Sequence, residues 1–295
     1  MRTYPDCIPC FIRQSLEAAR LVSSDESFHK KVLEEALAIA EVLDYSKPPP
    51  IMGRDIHRII RKLSGVIDPY HETKVRSNTY ISGLLPELKK MVRDSADPFE
   101  TALRLAVAGN VIDFGLNINL SRNDIQSTIS QALSAPFDLE TVESLRRALK
   151  GSRSVLYIGD NAGEVVFDRL FIETIQETLG PLEITFVVRG APILNDATRE
   201  DAVQAGIDKI AARVIDSGVD SPGTVLEDCS REFHAFLDSS DLVISKGQGN
   251  YETLSGIEQE TYFLLKAKCA AIAVDTCSKQ GELLLLRKPR HVREP

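Results

Sequence analysis

The 295-residue sequence predicts an α/β fold in which an all-helical N-terminal domain precedes a Rossmann-like, three-layer domain with a largely parallel sheet. Two observations carry this prediction. Up to about residue 150 the apolar residues recur at helical spacing, whereas from Ser154 onward short β-rich runs alternate with turns and helical patterns. The length exceeds that of one typical domain, so we assign residues 1–150 to the helical part and residues 151–295 to the α/β part.

Helices in the first part are indicated by apolar spacing and are separated by prolines. One such pattern consists of Val32, Leu33, Ala36, Leu37 and Ala40. Proline restricts the residue before it away from helical geometry, and it marks breaks at Lys47–Pro50, Asp68–Pro69 and Asp97–Pro98. Asp97 is also a predicted N-cap for the helix that follows it.

Five short runs predict the strands of the second part. They are Val155–Ile158, Ile184–Val188, Arg213–Ile215, Leu242–Ser245 and Ala270–Val274. The runs are too apolar for half-exposed antiparallel strands, so a parallel sheet covered by helices on both faces is favoured. Ligands of such a sheet bind beyond the carboxyl ends of its strands, and the residues after each run are therefore the first candidates for a site.

Polar and glycine-rich segments follow three of these strands, namely Gly159–Glu164, Arg189–Asp196 and Lys246–Asn250. Asp160, Asn161 and Asp196 are hard oxygen donors, and three donors leave positions open on a divalent cation for water and a phosphate group. Arg189 and Lys246 could neutralise phosphoryl oxygens. The backbone amides of Ala162 and Gly163, at the start of the next helix, would add an anion-binding end. The pattern favours phosphoryl chemistry over acyl or hydride transfer.

Each of these residues also has a structural explanation. Asp or Asn after a strand is commonly a helix N-cap, and Asp196 could cap a helix beginning near Ala197. Lys246, followed by Gly-Gln-Gly, could be a solvated turn residue. In the first part, Asn110 with Asp113 and Lys74 with Asn78 would share helix faces that could form the lid or floor of a site, or simply a helix end.

Charge and composition limit the partners. The formal net charge of −8 disfavours nucleic acid. No apolar run approaches the roughly 20 residues that span a bilayer, and the N-terminus lacks a basic segment followed by an apolar one. We therefore expect a cytoplasmic protein that binds neither nucleic acid nor a membrane. Cys7 and Cys10 provide two of the four ligands of a structural zinc, without a second matching pair, so a structural role and a functional thiol role both stay open.

The three strand-end segments, extended to Arg189–Thr198 and Lys246–Glu252, resemble the damage-control phosphatase family. The first part resembles it too, in Pro5–Cys10, in Asp68–Tyr70 with Lys74 and Asn78, and in Ala108–Gly115. The likeness covers nearly the whole chain and includes the Cys-x-x-Cys of one subfamily. No lysine of the family is placed in the segment Val274–Lys279.

The resemblance implies a divalent-metal-dependent hydrolase of small phosphomonoesters, such as sugar phosphates or damaged metabolites. By this likeness Asp160, Asn161 and Asp196 hold the metal (Mn, Ni, Co or Mg) and act with Lys246 in catalysis. The implied substrate-binding residues are Glu164, Arg189, Asn195, Asn110, Asp113 and Lys246. The physiological substrate and the oligomeric state do not follow from the sequence.

Three other functions fit the sequence less well. The glycine-rich turn after Ile158 resembles that of an S-adenosylmethionine-dependent carboxyl methyltransferase, which is a weak signal and leaves Asp196 and Lys246 without a purpose. A non-catalytic phosphometabolite-binding protein is compatible with the same fold. An aspartyl-phosphate phosphatase would need a second acid at position 162, which is alanine, so a metal-activated water is the favoured nucleophile.

Overall fold

The computed structural model describes residues 1–110 and 122–290. Its first three helices, α1 (Cys7–Val22), α2 (Glu26–Glu41) and α3 (Pro50–Ser64), pack around a small apolar core of their own that includes Phe11, Val32 and Ile60. Local sequence sets the helix ends. The Asp25 carboxylate accepts a hydrogen bond from the Ser27 amide at the start of α2, and Gly65 takes a left-handed conformation after α3.

Among the described residues, four further helices precede the sheet. They are α4 (His71–Asp94), α5 (Pro98–Gly109), α6 (Arg122–Ser134) and α7 (Leu139–Gly151). The predicted N-cap is confirmed, because the Asp97 carboxylate accepts from the Glu100 amide at 3.0 Å. In the residues that the structure describes, helical structure extends, as predicted, to about residue 150. Among the described helices, none is both long and apolar enough to cross a membrane.

Within residues 1–110 and 122–290 the sheet has six strands in the order β3-β2-β1-β4-β5-β6, all parallel except β6, which pairs antiparallel with β5. The strands are β1 (Ser154–Ile158), β2 (Glu183–Val188), β3 (Arg213–Asp216), β4 (Leu242–Lys246), β5 (Thr261–Lys266) and β6 (Leu283–Lys288). The helices of this part are α8 (Glu164–Leu179), α9 (Arg199–Ala205), α10 (Arg231–Ser239), α11 (Gln248–Leu254) and α12 (Ala270–Asp275). The predicted fold class is confirmed.

The prediction of a strand at Ala270–Val274 is wrong, because this segment lies in helix α12. A short apolar run does not distinguish a buried strand from a buried helix, and alanine favours the helix. The strands β5 and β6 were not predicted.

Both faces of the sheet are covered. On one face, residues of α4 to α8 such as Leu88, Phe99, Leu145 and Phe171 pack in the same core as the strands. On the other, α10, α11 and α12 pack against Leu156, Ile158 and Val243. Residue 150 marks a change of secondary structure within this shared core. That residues 1–150 and 151–295 are separate domains stays a prediction.

Helix α3 is fastened to the loop that follows β3. Its Arg58 and Arg61 pair with Asp220 at 2.6 and 2.5 Å, and Arg54 pairs with Asp228. This loop thereby joins the first three helices to the α/β part.

Candidate active site

Three loops meet at the carboxyl ends of the adjacent strands β2, β1 and β4. The loop after β1 contacts the loop after β2 through an antiparallel bridge between Asn161 and Asp196. The Ala197 amide also donates to the Asp160 carbonyl at 2.7 Å. The structure thus brings together the segments that the sequence places at one edge of the sheet.

Asp160 and Glu164 share two amide donors. Asp160 Oδ2 accepts from Asn161 Nδ2 at 2.7 Å and from Asn110 Nδ2 at 3.0 Å. The same two nitrogens donate to Glu164 Oε2, at 3.1 and 3.0 Å. Asn110, at the end of α5, therefore lies beside Asp160 and Glu164, and its role in binding substrate stays a prediction. Its own Oδ1 accepts from the Lys266 amide at 3.3 Å, which ties it to β5.

Arg189 lies behind the acids of the site and is 2% exposed. Its Nε donates to Asp196 Oδ2 at 2.7 Å, and its Nη2 is 3.5 Å from Asp160 Oδ1. Nη1 donates to Thr224 Oγ1 at 3.1 Å. Nη2 is buried without a hydrogen-bond partner among the described residues. One guanidinium thus faces two buried carboxylates.

Burial and mutual repulsion disfavour the ionised forms of Asp160 and Asp196. Burial, with repulsion from Asp196 and Glu164, raises the pKa of Asp160 to about 8, against the opposing charges of Arg189 and Lys268. Burial also raises the pKa of Asp196, again opposed by Arg189 and Lys268. A buried carboxylate needs a compensating charge. An added cation would stabilise both acids in their ionised form.

Lys246 lies fully buried at the end of β4. Its Nζ donates to Glu164 Oε1 at 2.6 Å, to Asp168 Oδ1 at 2.5 Å and to the Ala106 carbonyl at 2.9 Å. It is therefore not a solvated turn residue. Direct contact between Lys246 and a phosphoryl group stays a prediction that these contacts disfavour, because the ammonium already neutralises and orients Glu164.

The prediction of an anion-binding helix end is wrong. The Ala162 amide donates to the Asn195 carbonyl at 2.8 Å, and the Gly163 amide donates to Asn78 Oδ1 at 2.6 Å. Protein acceptors therefore occupy both amides. Asn195 itself is partly exposed at the rim of the site.

Helix capping does not account for the three predicted metal ligands. Gly163 occupies the N-cap position of α8. Helix α9 is capped by Thr198 through a capping box with Asp201. The carboxylates of Asp160 and Asp196 point instead toward Arg189.

Lys74 and Asn78 share a helix face, as predicted, and this face joins α4 to α9. Lys74 pairs with Asp68 at 2.8 Å and with Asp201 at 3.3 Å, while Asn78 Nδ2 donates to Asp201 Oδ1 at 2.8 Å. The pair thus supports the floor of the site. Asp113 lies outside the described residues.

Several residues around the site were not selected from the sequence. They are Asp168, Thr224, Asn250 and Lys268. Asp168 carried a usable signal, because it follows Glu164 by four residues on one helix, and Asn250 lies within the segment Lys246–Asn250. Thr224 and Lys268 carried no local signal, since distant loops bring them to the site.

The oxygen donors fit a hard divalent cation. Asp160 and Asp196 supply charge and Asn161 supplies an amide oxygen, which is the donor type that such ions prefer. No three His, Cys, Asp or Glu side chains are arranged to hold a metal in the described ranges, so a site here depends on the amide. Gly247 keeps the space beside Asp160 open, since a Cβ at this position would lie 1.9 Å from Asp160 Oδ2.

Fold and site together define a Rossmann-like α/β protein with a buried acidic site at the ends of its central strands. The chain belongs to the family of the damage-control phosphatase ARMT1-like domain, whose model matches residues 3–284.

Relatives match over nearly the full length. An uncharacterised protein of Methanocaldococcus jannaschii is 37% identical, over 96% of this chain and 95% of that protein. A damage-control phosphatase of Archaeoglobus fulgidus is 33% identical, over 96% and 98%. The crystal structure of a DUF89 family protein from Pyrococcus horikoshii superposes with a TM-score of 0.88 at 32% identity, covering 97% of this chain and 99% of that one.

Proposed function

We propose that this protein is a divalent-metal-dependent phosphatase that hydrolyses small phosphomonoesters. The observation that carries the proposal is the pair of buried carboxylates, Asp160 and Asp196, opposed by the single guanidinium of Arg189. Two relatives, one from Archaeoglobus fulgidus and one from Pyrococcus horikoshii, are named damage-control phosphatases, which supports the same activity.

Asp160, Asn161 and Asp196 would hold the ion. When bound, a divalent cation would supply positive charge to the phosphoryl oxygens and activate water for attack on phosphorus. Carboxylate and amide oxygens favour hard ions, and among Mg²⁺, Mn²⁺, Co²⁺ and Ni²⁺ the donor set makes no further choice.

The protein's own side chains prepare this site in three ways. Arg189 fixes the direction of the Asp160 and Asp196 carboxylates and reduces their mutual repulsion. Asn110 and Asn161 hold Asp160 and Glu164 together by shared hydrogen bonds. Because these groups are placed before substrate arrives, little reorganisation is needed during the reaction.

The cation that attracts the substrate in this proposal is Lys268 and not Lys246, which the sequence indicates. Lys268 is exposed, and its charge acts on both Asp160 and Asp196. Lys246 instead supports Glu164 from below. We assign to Lys268 the first attraction of the phosphate group, with Glu164, Asn195 and Asn110 as further substrate-binding residues.

Metal removal tests the activity. We expect purified protein to hydrolyse members of a phosphomonoester panel after reloading with Mg²⁺, Mn²⁺, Co²⁺ or Ni²⁺, and to lose turnover in excess chelator. The reason is that carboxylates are negatively charged and cannot themselves stabilise the charge of the phosphoryl group. The measurement is phosphate release with each metal. Undiminished turnover in chelator contradicts the metal requirement, and tight phosphometabolite binding without any phosphate release favours a binding protein.

A double substitution of Cys7→Ser and Cys10→Ser should reduce stability more than turnover. Cys7 packs against the core of α1–α3, and burial raises the pKa of both thiols, so both are neutral near pH 7. We expect a loss of about 1 kcal/mol in the free energy of unfolding, with turnover per folded molecule retained. Substitution of the exposed Cys277 by serine is the control. Complete loss of turnover in a folded double variant would place the thiols in the mechanism.

A further inference from the structure

A short loop passes behind the candidate site after β3. Its residues Ser221 and Thr224 are fully buried. The loop lies between two helices that approach it through glycine: a Cβ at Gly53 of α3 would lie 3.0 Å from Pro222 Cγ, and one at Gly249 of α11 would lie 1.9 Å from the Pro222 carbonyl oxygen. The position of the loop is therefore closely fixed on both sides.

Thr224 joins this loop to Arg189. Arg189 Nη1 donates to Thr224 Oγ1 at 3.1 Å, and Thr224 Oγ1 donates to Asn250 Oδ1 at 2.8 Å. Asn250 Nδ2 then donates to the carbonyls of Gly159 and Lys246, at 3.1 and 2.8 Å. One chain of hydrogen bonds thereby joins the ends of β1, β2 and β4 to the loop after β3.

The direction of this chain is fixed. A guanidinium can only donate, and the carbonyls at the far end can only accept. The Asn250 amide must therefore point its nitrogen at the two carbonyls and its oxygen at Thr224. The threonine hydroxyl has one hydrogen, which goes to Asn250, so its oxygen is left to accept from Arg189. A side chain without a hydroxyl cannot replace it.

We propose that Thr224 is a positioning residue, which holds Arg189 in the orientation that organises Asp160 and Asp196 for the metal. This inference rests on the proposed function. Apart from Thr224, two contacts restrain the guanidinium: Nε donates to Asp196, and Nη2 lies 3.5 Å from Asp160 Oδ1 without a hydrogen-bond partner within the described part of the chain. Loss of the Thr224 acceptor would leave a second buried nitrogen of Arg189 without a partner, which is costly.

The test compares side chains at position 224 with and without a hydroxyl. Thr224→Val keeps the shape of threonine, while Thr224→Ala and Thr224→Ser differ from each other by one oxygen atom. We expect the valine and alanine variants to bind Mn²⁺ about tenfold more weakly in calorimetric titrations, and to show a kcat lowered by about tenfold. The serine variant should stay within about threefold of wild type. The alanine and serine pair decides the question if the valine variant does not fold.

A neighbouring hydroxyl provides the control. Thr253 Oγ1 accepts from the Thr224 amide at 3.0 Å and so anchors the same loop without contacting Arg189. We expect Thr253→Val to keep near wild-type metal affinity and kcat. Equal losses in Thr253→Val and Thr224→Val would show that only loop placement matters, and would overturn the proposal, as would wild-type behaviour of the alanine variant.

A double-mutant cycle separates this inference from the proposed function. In an Arg189→Lys background, Thr224→Val should weaken Mn²⁺ binding by less than about twofold, because the contact it removes is already absent. Fully additive losses would contradict a role through Arg189. Wild-type protein that binds Mn²⁺ without releasing phosphate would overturn the phosphatase function alone, whereas wild-type protein that binds no metal would overturn both.

Discussion

Asp196→Asn should weaken divalent-metal binding and lower the rate of phosphate release roughly a hundredfold, or by about 3 kcal/mol of transition-state stabilisation. The substitution keeps the size of the side chain and leaves an oxygen that can accept from Arg189 Nε. It removes one of the two carboxylate charges assigned to the ion. The measurements are a calorimetric metal titration and turnover at saturating metal.

A loss of activity in Asp196→Asn can be attributed to the metal site, because Asp196 does not cap a helix. Thr198 and Asp201 cap α9 without it, so a general disturbance of that helix would not explain a loss. Glu173→Gln is the control, since Glu173 is also held by an arginine, Arg169, but lies farther along α8, away from the site. Unchanged metal affinity and rate in Asp196→Asn would remove this residue from the site and most of the proposed metal centre with it.

Lys246→Met should destabilise the protein by about 3–5 kcal/mol, because it leaves two buried carboxylates, Glu164 and Asp168, without their shared cation. For a chain of this size the melting temperature should fall on the order of 10 °C. A solvated lysine would cost well under about 1 kcal/mol. Thermal and denaturant unfolding of the variant measures the difference.

The loss should depend on pH in a defined direction. Burial raises the pKa of Asp168 to about 6, although Lys246 opposes the shift. Without Lys246 this pKa rises further, so the folded state binds a proton that the unfolded state, with a pKa near 4, releases. The deficit should therefore be smallest near pH 5 and grow as the pH rises toward 8. Adding Asp168→Asn should recover part of the stability. A deficit that is constant across this range contradicts the assignment.

Local patterns were sufficient for the first four strands and for the helices before residue 150. They failed near the C-terminus, where the propensities of the residues conflict with the fold. Strand β6 begins with a run of leucines, which favour helices, and the alanine-rich segment of α12 looked like a strand. Thr261–Lys266 carried aromatic and β-branched residues, so β5 could have been recognised.

The site was predictable where it depends on strand order and was not where it depends on packing. Asp160, Asn161 and Asp196 follow adjacent strands, and the sheet itself brings them together. The partners of Lys246 could not be foreseen, because Ala106 and Asp168 reach it only when α5 and α8 pack on the sheet. Whether a charged residue binds substrate or stabilises the fold depends on tertiary contacts, and the sequence does not show these.

Gly247 shows how such a site restricts the variation of its own sequence. The residue has a left-handed backbone, and the space that any side chain would fill is taken by the Asp160 carboxylate. Substitution of Gly247 is therefore not neutral, although glycine has no side chain that could take part in the chemistry, since even alanine would displace Asp160. A glycine directly after β4 is consequently as informative for recognising remote homologues as the aspartate after β1. It indicates proteins in which the carboxylate after β1 still occupies the same position.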